Sequence, residues 1–134
     1  VLQGINQKAG GVLPKGIPGY DETITGMPHD PAKAKALLAE AGFPDGKGLP
    51  PLTLTFHEKQ PDLAKTAEVV KEQLAAVGIP VDLNEMEWGA FLKKTDNREI
   101  PFFHMRWGAD YLDPQNFLSV LLTSNAPENR TGYN

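Results

Sequence analysis

Cysteine is absent from this 134-residue chain, so it can form neither a disulfide framework nor a thiolate metal site. That absence is silent about compartment. Long apolar runs are missing as well: the longest are a handful of residues, far short of the roughly 20 that span a bilayer as a helix. The 13 Lys and Arg are scattered rather than gathered into a stripe, and the net charge is -4, which argues against nucleic acid as a partner. The three histidines, His29, His57 and His104, sit on separate predicted elements with no i, i+4 spacing, so no local metal motif exists and no cofactor is expected. A Gly-x-Ser-x-Gly elbow and a glycine-rich phosphate loop are also lacking.

What is present suffices for one globular core, with 40% of residues hydrophobic. Residues 1–28, which include Gly10, Gly11, Pro14, Gly16, Pro18, Gly19, Gly26 and Pro28, read as an irregular proline- and glycine-rich arm. A domain rarely opens with so much structureless chain, which predicts a piece of a longer protein. Val1 starts with neither a charged nor an apolar export region, so any such signal is expected outside this segment. An α/β core is expected over 29–122, and residues 123–134, rich in Asn, Pro and Gly, as a loop or truncated linker.

Within the core, Asp30-Pro31 supplies a side-chain acceptor at a helix N-cap and a proline at the first helical position. Ala34, Leu37, Leu38 and Ala41 follow as one apolar face, and Gly42 stands where a left-handed C-cap is wanted. Residues 52–56 (LTLTF) have strand composition. From Asp62, the residues Leu63, Ala67, Val70, Leu74 and Val77 recur at steps of three and four and predict a helix closed by Gly78. A second strand is expected over 79–86, near a sheet edge because of Pro80, then a short helix with Trp88, Phe91 and Leu92 on one face. Residues 100–107 predict a third strand, and Asp113-Pro114 starts a last helix with Phe117, Leu118 and Leu121 facing in. The order βαβαβα implies parallel pairing through right-handed crossovers, hence an α/β three-layer fold with a mostly parallel sheet of order 2-1-3.

The segment 102–114 (FFHMRWGADYLDP) concentrates the chemistry. It places an indole, a glycine and a carboxylate at the carboxyl end of the third strand, where ligands bind in open α/β sheets. Asp113, followed by Pro114, is expected as an N-cap rather than a site residue. Arg106 reads as a solvated surface arginine that could stand in at the site.

Several stretches carry a resemblance in the same order as in a known family. Residues 13–20 (LPKGIPGY) look like its proline-rich arm, and 30–44 (DPAKAKALLAEAGFP) resemble its characteristic helix. Residues 71–80 (KEQLAAVGIP), 107–116 (WGADYLDPQN) and 129–133 (NRTGY) match further stretches. The family is the extracytoplasmic solute-binding proteins of peptide-type ABC importers, which bind peptides, nickel complexes or oligosaccharides. Its members are two-lobed, and this chain resembles a fragment of the second lobe. The resemblance implies a periplasmic or extracytoplasmic protein that is not an enzyme. It would capture a peptide or similar small solute and deliver it to an ABC transporter permease, with the first lobe of the same receptor as a further partner. Whether the parent is lipid-anchored stays open, as does the ligand.

The resemblance also implies site residues. Asp110 matches the aspartate that pairs with a ligand's α-ammonium group, a charge-assisted bond suited to a closed cleft; taken alone it reads equally as a turn residue. Trp107 matches a pocket-lining tryptophan whose flat face lies against the ligand, or else a core indole at a strand end. Gly108 and Ala109 would offer backbone groups to a peptide, and Tyr111 a hydroxyl at the rim. His104 stands where some relatives carry an arginine for a ligand carboxylate; a titratable, shorter cation puts fixed recognition of a C-terminus in question. The rival reading is a small α/β hydrolase-like enzyme using Asp110 and His104 as acid and base.

Overall fold

In the computed structural model, which describes residues 7–133, the Asp30 carboxylate accepts a hydrogen bond from the Lys33 N–H at 2.9 Å, and Pro31 opens helix α1 (Pro31–Glu40). The expected arm includes residues 1–6, and these lie outside the described residues, as does Asn134. Helix α1 ends as its sequence requires. The Gly42 N–H donates to Ala39 O and the Phe43 N–H to Leu38 O, with Gly42 at φ +90°, a Schellman closure that only glycine adopts without strain. Its apolar face is covered only in part: no residue of α1 is fully buried, Ala34 and Leu38 are partly buried, and Leu37 is 53% exposed.

Two compact units make up the described chain, residues 29–91 with 102–105, and residues 7–28 with 92–101 and 106–133. The first holds the sheet. Strand β1 (Leu52–His57) pairs in parallel with β2 (Val81–Met86) on one side and with β3 (Phe103–His104) on the other, giving the order β2-β1-β3. The fold is therefore α/β with a parallel 2-1-3 sheet. Helix α2 (Pro61–Ala75) connects β1 to β2 and lays Leu63 and Ala67 on Leu54, Phe56 and Val81, the buried centre of this unit. Burying a Leu or Phe side chain of this kind contributes about 1.5–3 kcal/mol. Side chains alternate across a strand, so Thr55 and His57 point to the opposite face. There His57 meets Phe91 of helix α3 (Trp88–Asp96), which also packs edge-on against Phe103.

Strand β3 is two residues long instead of the expected span 100–107. Pro101 has no N–H to give to a ladder, and β1 ends at His57, one position past the residue paired with His104, so the partner edge runs out. A close backbone approach fixes the chain that precedes β1. Gly46, at φ +74° in the 3-10 turn Pro44–Gly46, lies against the carbonyl of Gly78, itself at φ +93° after α2. A Cβ on either glycine would overlap the other segment's backbone.

In the second unit the arm is built of successive turns: the Ile17 N–H donates to Pro14 O at 3.2 Å and the Tyr20 N–H to Ile17 O at 3.0 Å, and Ile17 is buried. The helix expected from Asp113 divides into a 3-10 turn, Pro114–Asn116, and a short helix α4 (Ser119–Leu122). Asp113 caps the turn as expected, accepting from the Gln115 N–H at 2.8 Å. The division has a local cause, because the Asn116 carbonyl accepts from the Trp107 indole N–H at 3.0 Å instead of continuing a helix. Further on, the buried Asn129 amide donates to Thr123 O and Tyr133 O and accepts from the Thr131 hydroxyl and the Gly132 N–H. The glycosylation-like triplet Asn129-Arg130-Thr131 is thus the knot of the terminal loop. Arg130 extends it by pairing with Asp96 at 2.7 Å and with Glu128.

Candidate functional site

Parallel strands end on one side of a sheet, and their carboxyl ends are where side chains can converge on a ligand. In the first unit, β1 ends at His57 and β2 at Met86, so the residues that follow come from both strands. The His57 ring lies 4.6 Å from that of Trp88, and Trp88 stacks on Phe91 at 6.1 Å while remaining 44% exposed. Lys59, at φ +62°, extends to Glu58 at 3.0 Å. Hydrogen bonding to Glu58 raises the Lys59 pKa above its usual value, with the charges of Glu58 and Glu87 adding to the effect. The Glu87 carboxylate caps α3, accepting from the Ala90 N–H at 2.9 Å. Backbone N–H groups of Gly89 and Ala90, with a smaller contribution from Lys59, hold it below the usual carboxylate range. His104 lies opposite Phe56 in β3, and neither it nor Arg106 is without a partner.

Trp107–Tyr111 belongs to the second unit. Trp107 is half-buried, and its indole N–H is shared between the backbone and side-chain oxygens of the nearly buried Asn116, both at 3.0 Å. That bifurcated bond fixes the ring plane. Gly108 is exposed, and a Cβ built there meets nothing within 4 Å among the described residues. Ala109 is partly buried. Asp110 is exposed, and among the described residues no hydrogen bond or ion pair holds its carboxylate. The turn role open to Asp110 falls instead to Asp113. Tyr111 is 46% exposed and donates its hydroxyl proton to Gln115 Oε1 at 2.9 Å.

Trp107 lines an open cavity of about 600 Å³ whose other described wall residues come from the arm, including Lys8, Leu13, Pro14, Lys15 and Tyr20. A volume of this order holds a small organic ligand. Among the described residues no cluster of three His, Asp or Glu is placed to hold a metal ion, and no helix is long and apolar enough to cross a membrane.

Of the residues expected at the site, Trp107, Gly108, Ala109, Asp110 and Tyr111 form one continuous partly exposed segment, while His104 falls in the other unit. Sequence reasoning passed over the arm side chains that meet Trp107, and also His57 and Trp88. The latter pair had a usable signal, since His57 directly follows the predicted strand 52–56 and Trp88 stands two residues past the predicted strand 79–86. The arm had none, because Lys15 and Trp107 are far apart in sequence and neither lies in a periodic element.

Comparisons with known proteins agree with this architecture. Residues 1–129 match the family of bacterial extracellular solute-binding proteins, family 5, middle, and the chain belongs to that family. The dipeptide-binding protein of Escherichia coli K12 is 31% identical over 134 residues, a match covering 99% of this chain and 25% of that protein. Di/tripeptide-binding protein 2 of Pseudomonas aeruginosa UCBPP-PA14 is 37% identical over 109 residues, covering 81% of this chain and 20% of the relative. Among solved structures, the ABC transporter-associated periplasmic binding protein DppA from Helicobacter pylori, in complex with the peptide STSA, superposes with a TM-score of 0.84 at 35% identity. That superposition covers 98% of this chain and 26% of the other. The chain spans about a quarter of the length of these proteins.

Proposed function

We propose that this chain forms part of one lobe of a longer, extracytoplasmic receptor. The receptor captures a short peptide and hands it to an ABC permease, without making or breaking bonds. The observation that carries the reading is Asp110: an exposed carboxylate with no partner among the described residues, three residues after a tryptophan whose ring is fixed by Asn116. An acidic group left unpaired in this way is suited to a ligand's α-ammonium group, and Gly108 leaves backbone open for main-chain hydrogen bonds to a peptide. Trp107 supplies a flat apolar face, Ala109 a second stretch of backbone, and Tyr111 a hydroxyl at the rim. Peptide-binding relatives in the family support capture rather than the hydrolase-like use of Asp110 and His104.

The incompletely covered apolar face of α1 supports the receptor being longer than this chain, with a further part of it covering Leu37. Native mass spectrometry of the full-length receptor tests the proposal. Co-purified masses forming a ladder of short peptides are expected, and a single metal complex or sugar would overturn the peptide assignment.

A further inference from the structure

The cavity beside Trp107 has an uneven charge that the peptide reading does not use. Its charged wall residues among those described are Lys8 and Lys15, and no Asp or Glu lines it, in a chain whose net charge is -4. Lys15 is only lightly engaged: its ammonium lies 3.9 Å from Glu22, and both side chains are mostly exposed. Pairs of that kind are weak and exchange readily for a better-placed anion. Tyr20 brings a phenol to the wall, while Leu13, Pro14 and the Trp107 ring supply apolar surface. The Asn116 bond stops that ring from swinging into the space.

A short apolar stem ending in an anion matches these walls. The methylenes would lie on the indole and the arm's Leu13 and Pro14, and the carboxylate would reach the two ammonium groups and the phenol. We propose that this cavity is a selectivity pocket for an acidic side chain of the bound peptide, glutamate fitting better than its neutral isostere glutamine. The inference rests on the reading that Trp107 faces the solute, and it adds which solutes are preferred. Selectivity arises because a neutral side chain offers neither ammonium group a charge partner within the cavity. The preference is electrostatic, so it weakens as salt rises.

The test uses the full-length receptor with its tryptophans labelled for NMR, the Trp88 and Trp107 resonances assigned by substitution, titrated with N-acetyl-glutamate α-amide and separately with N-acetyl-glutamine α-amide. Neither probe carries an α-ammonium group, so neither needs Asp110. The Trp107 indole resonance is expected to shift at about tenfold lower concentration of the glutamate probe, about 1.4 kcal/mol in its favour. Trp88 should stay unmoved. Lys8→Met and Lys15→Met, both at exposed positions, should each shrink that preference. Equal response to the two probes would overturn the acidic selectivity, and no response of Trp107 to either would overturn the pocket itself. If peptide capture by Asp110 fails while the glutamate probe still shifts Trp107, the receptor reading is wrong and the anion pocket stands.

Discussion

Replacing Gly108 by alanine separates ligand approach from folding. The added methyl would meet nothing within 4 Å among the described residues, and the Gly108 backbone is not in the left-handed region that penalises side chains. Stability should therefore change by no more than about 0.5 kcal/mol, or rise slightly as the unfolded chain loses freedom. If a peptide backbone lies against Gly108, the same methyl occupies the space that peptide needs. Displacing a well-placed main-chain hydrogen bond of about 1–1.5 kcal/mol would weaken binding roughly tenfold. Thermal unfolding and isothermal titration calorimetry on the full-length receptor measure the two effects side by side. Unchanged affinity in a normally folded Gly108→Ala variant would refute the argument that open space over Gly108 belongs to the ligand.

Gly46→Ala should behave in the opposite way, because its methyl overlaps the Gly78 carbonyl and its φ is +74°; a loss of about 2–5 kcal/mol is expected in urea unfolding, and a loss below about 1 kcal/mol would contradict the close approach. Asn129→Ala removes all four side-chain hydrogen bonds of a buried amide, and faster amide exchange across residues 123–133 is expected, with unaltered protection counting against its role as the knot. Glu87 has a folded pKa below its unfolded value, so the stability it gives α3 is present above the unfolded pKa and is lost as pH falls through the depressed one. In Glu87→Gln, protection of the Ala90 amide should no longer depend on pH in that acid window; persistence of the dependence would assign it to another group.

Local chemistry made part of the fold legible. The Asp30-Pro31 start, the Gly42 closure and the α2 periodicity are each encoded within a few residues, and each forms as expected. The 2-1-3 order followed because strands alternating with helices leave parallel pairing as the economical solution. The extent of β3 was not readable, since a ladder can be no longer than its partner edge and β1 stops at His57. Nor was the break after Asn116 readable, for it depends on an indole nine residues upstream taking a helix carbonyl. Within the site, the Trp107–Tyr111 stretch stood out because its residue types are contiguous. Its cavity wall did not, because the arm's lysines carry no pattern until the chain folds.

The most direct test of the account compares a short peptide having a free amino terminus with its N-acetylated form, on the full-length receptor and on Asp110→Asn. Calorimetry should show the wild-type receptor preferring the free peptide by about two to three and a half orders of magnitude. That is the roughly 3–5 kcal/mol set by breaking one side of an enclosed ion pair. The preference should collapse in Asp110→Asn while thermal stability stays within about 0.5 kcal/mol of wild type, because Asp110 is exposed and has no partner among the described residues. Equal affinity for the free and acetylated peptides, or an Asp110→Asn receptor that still discriminates between them, would contradict the central claim.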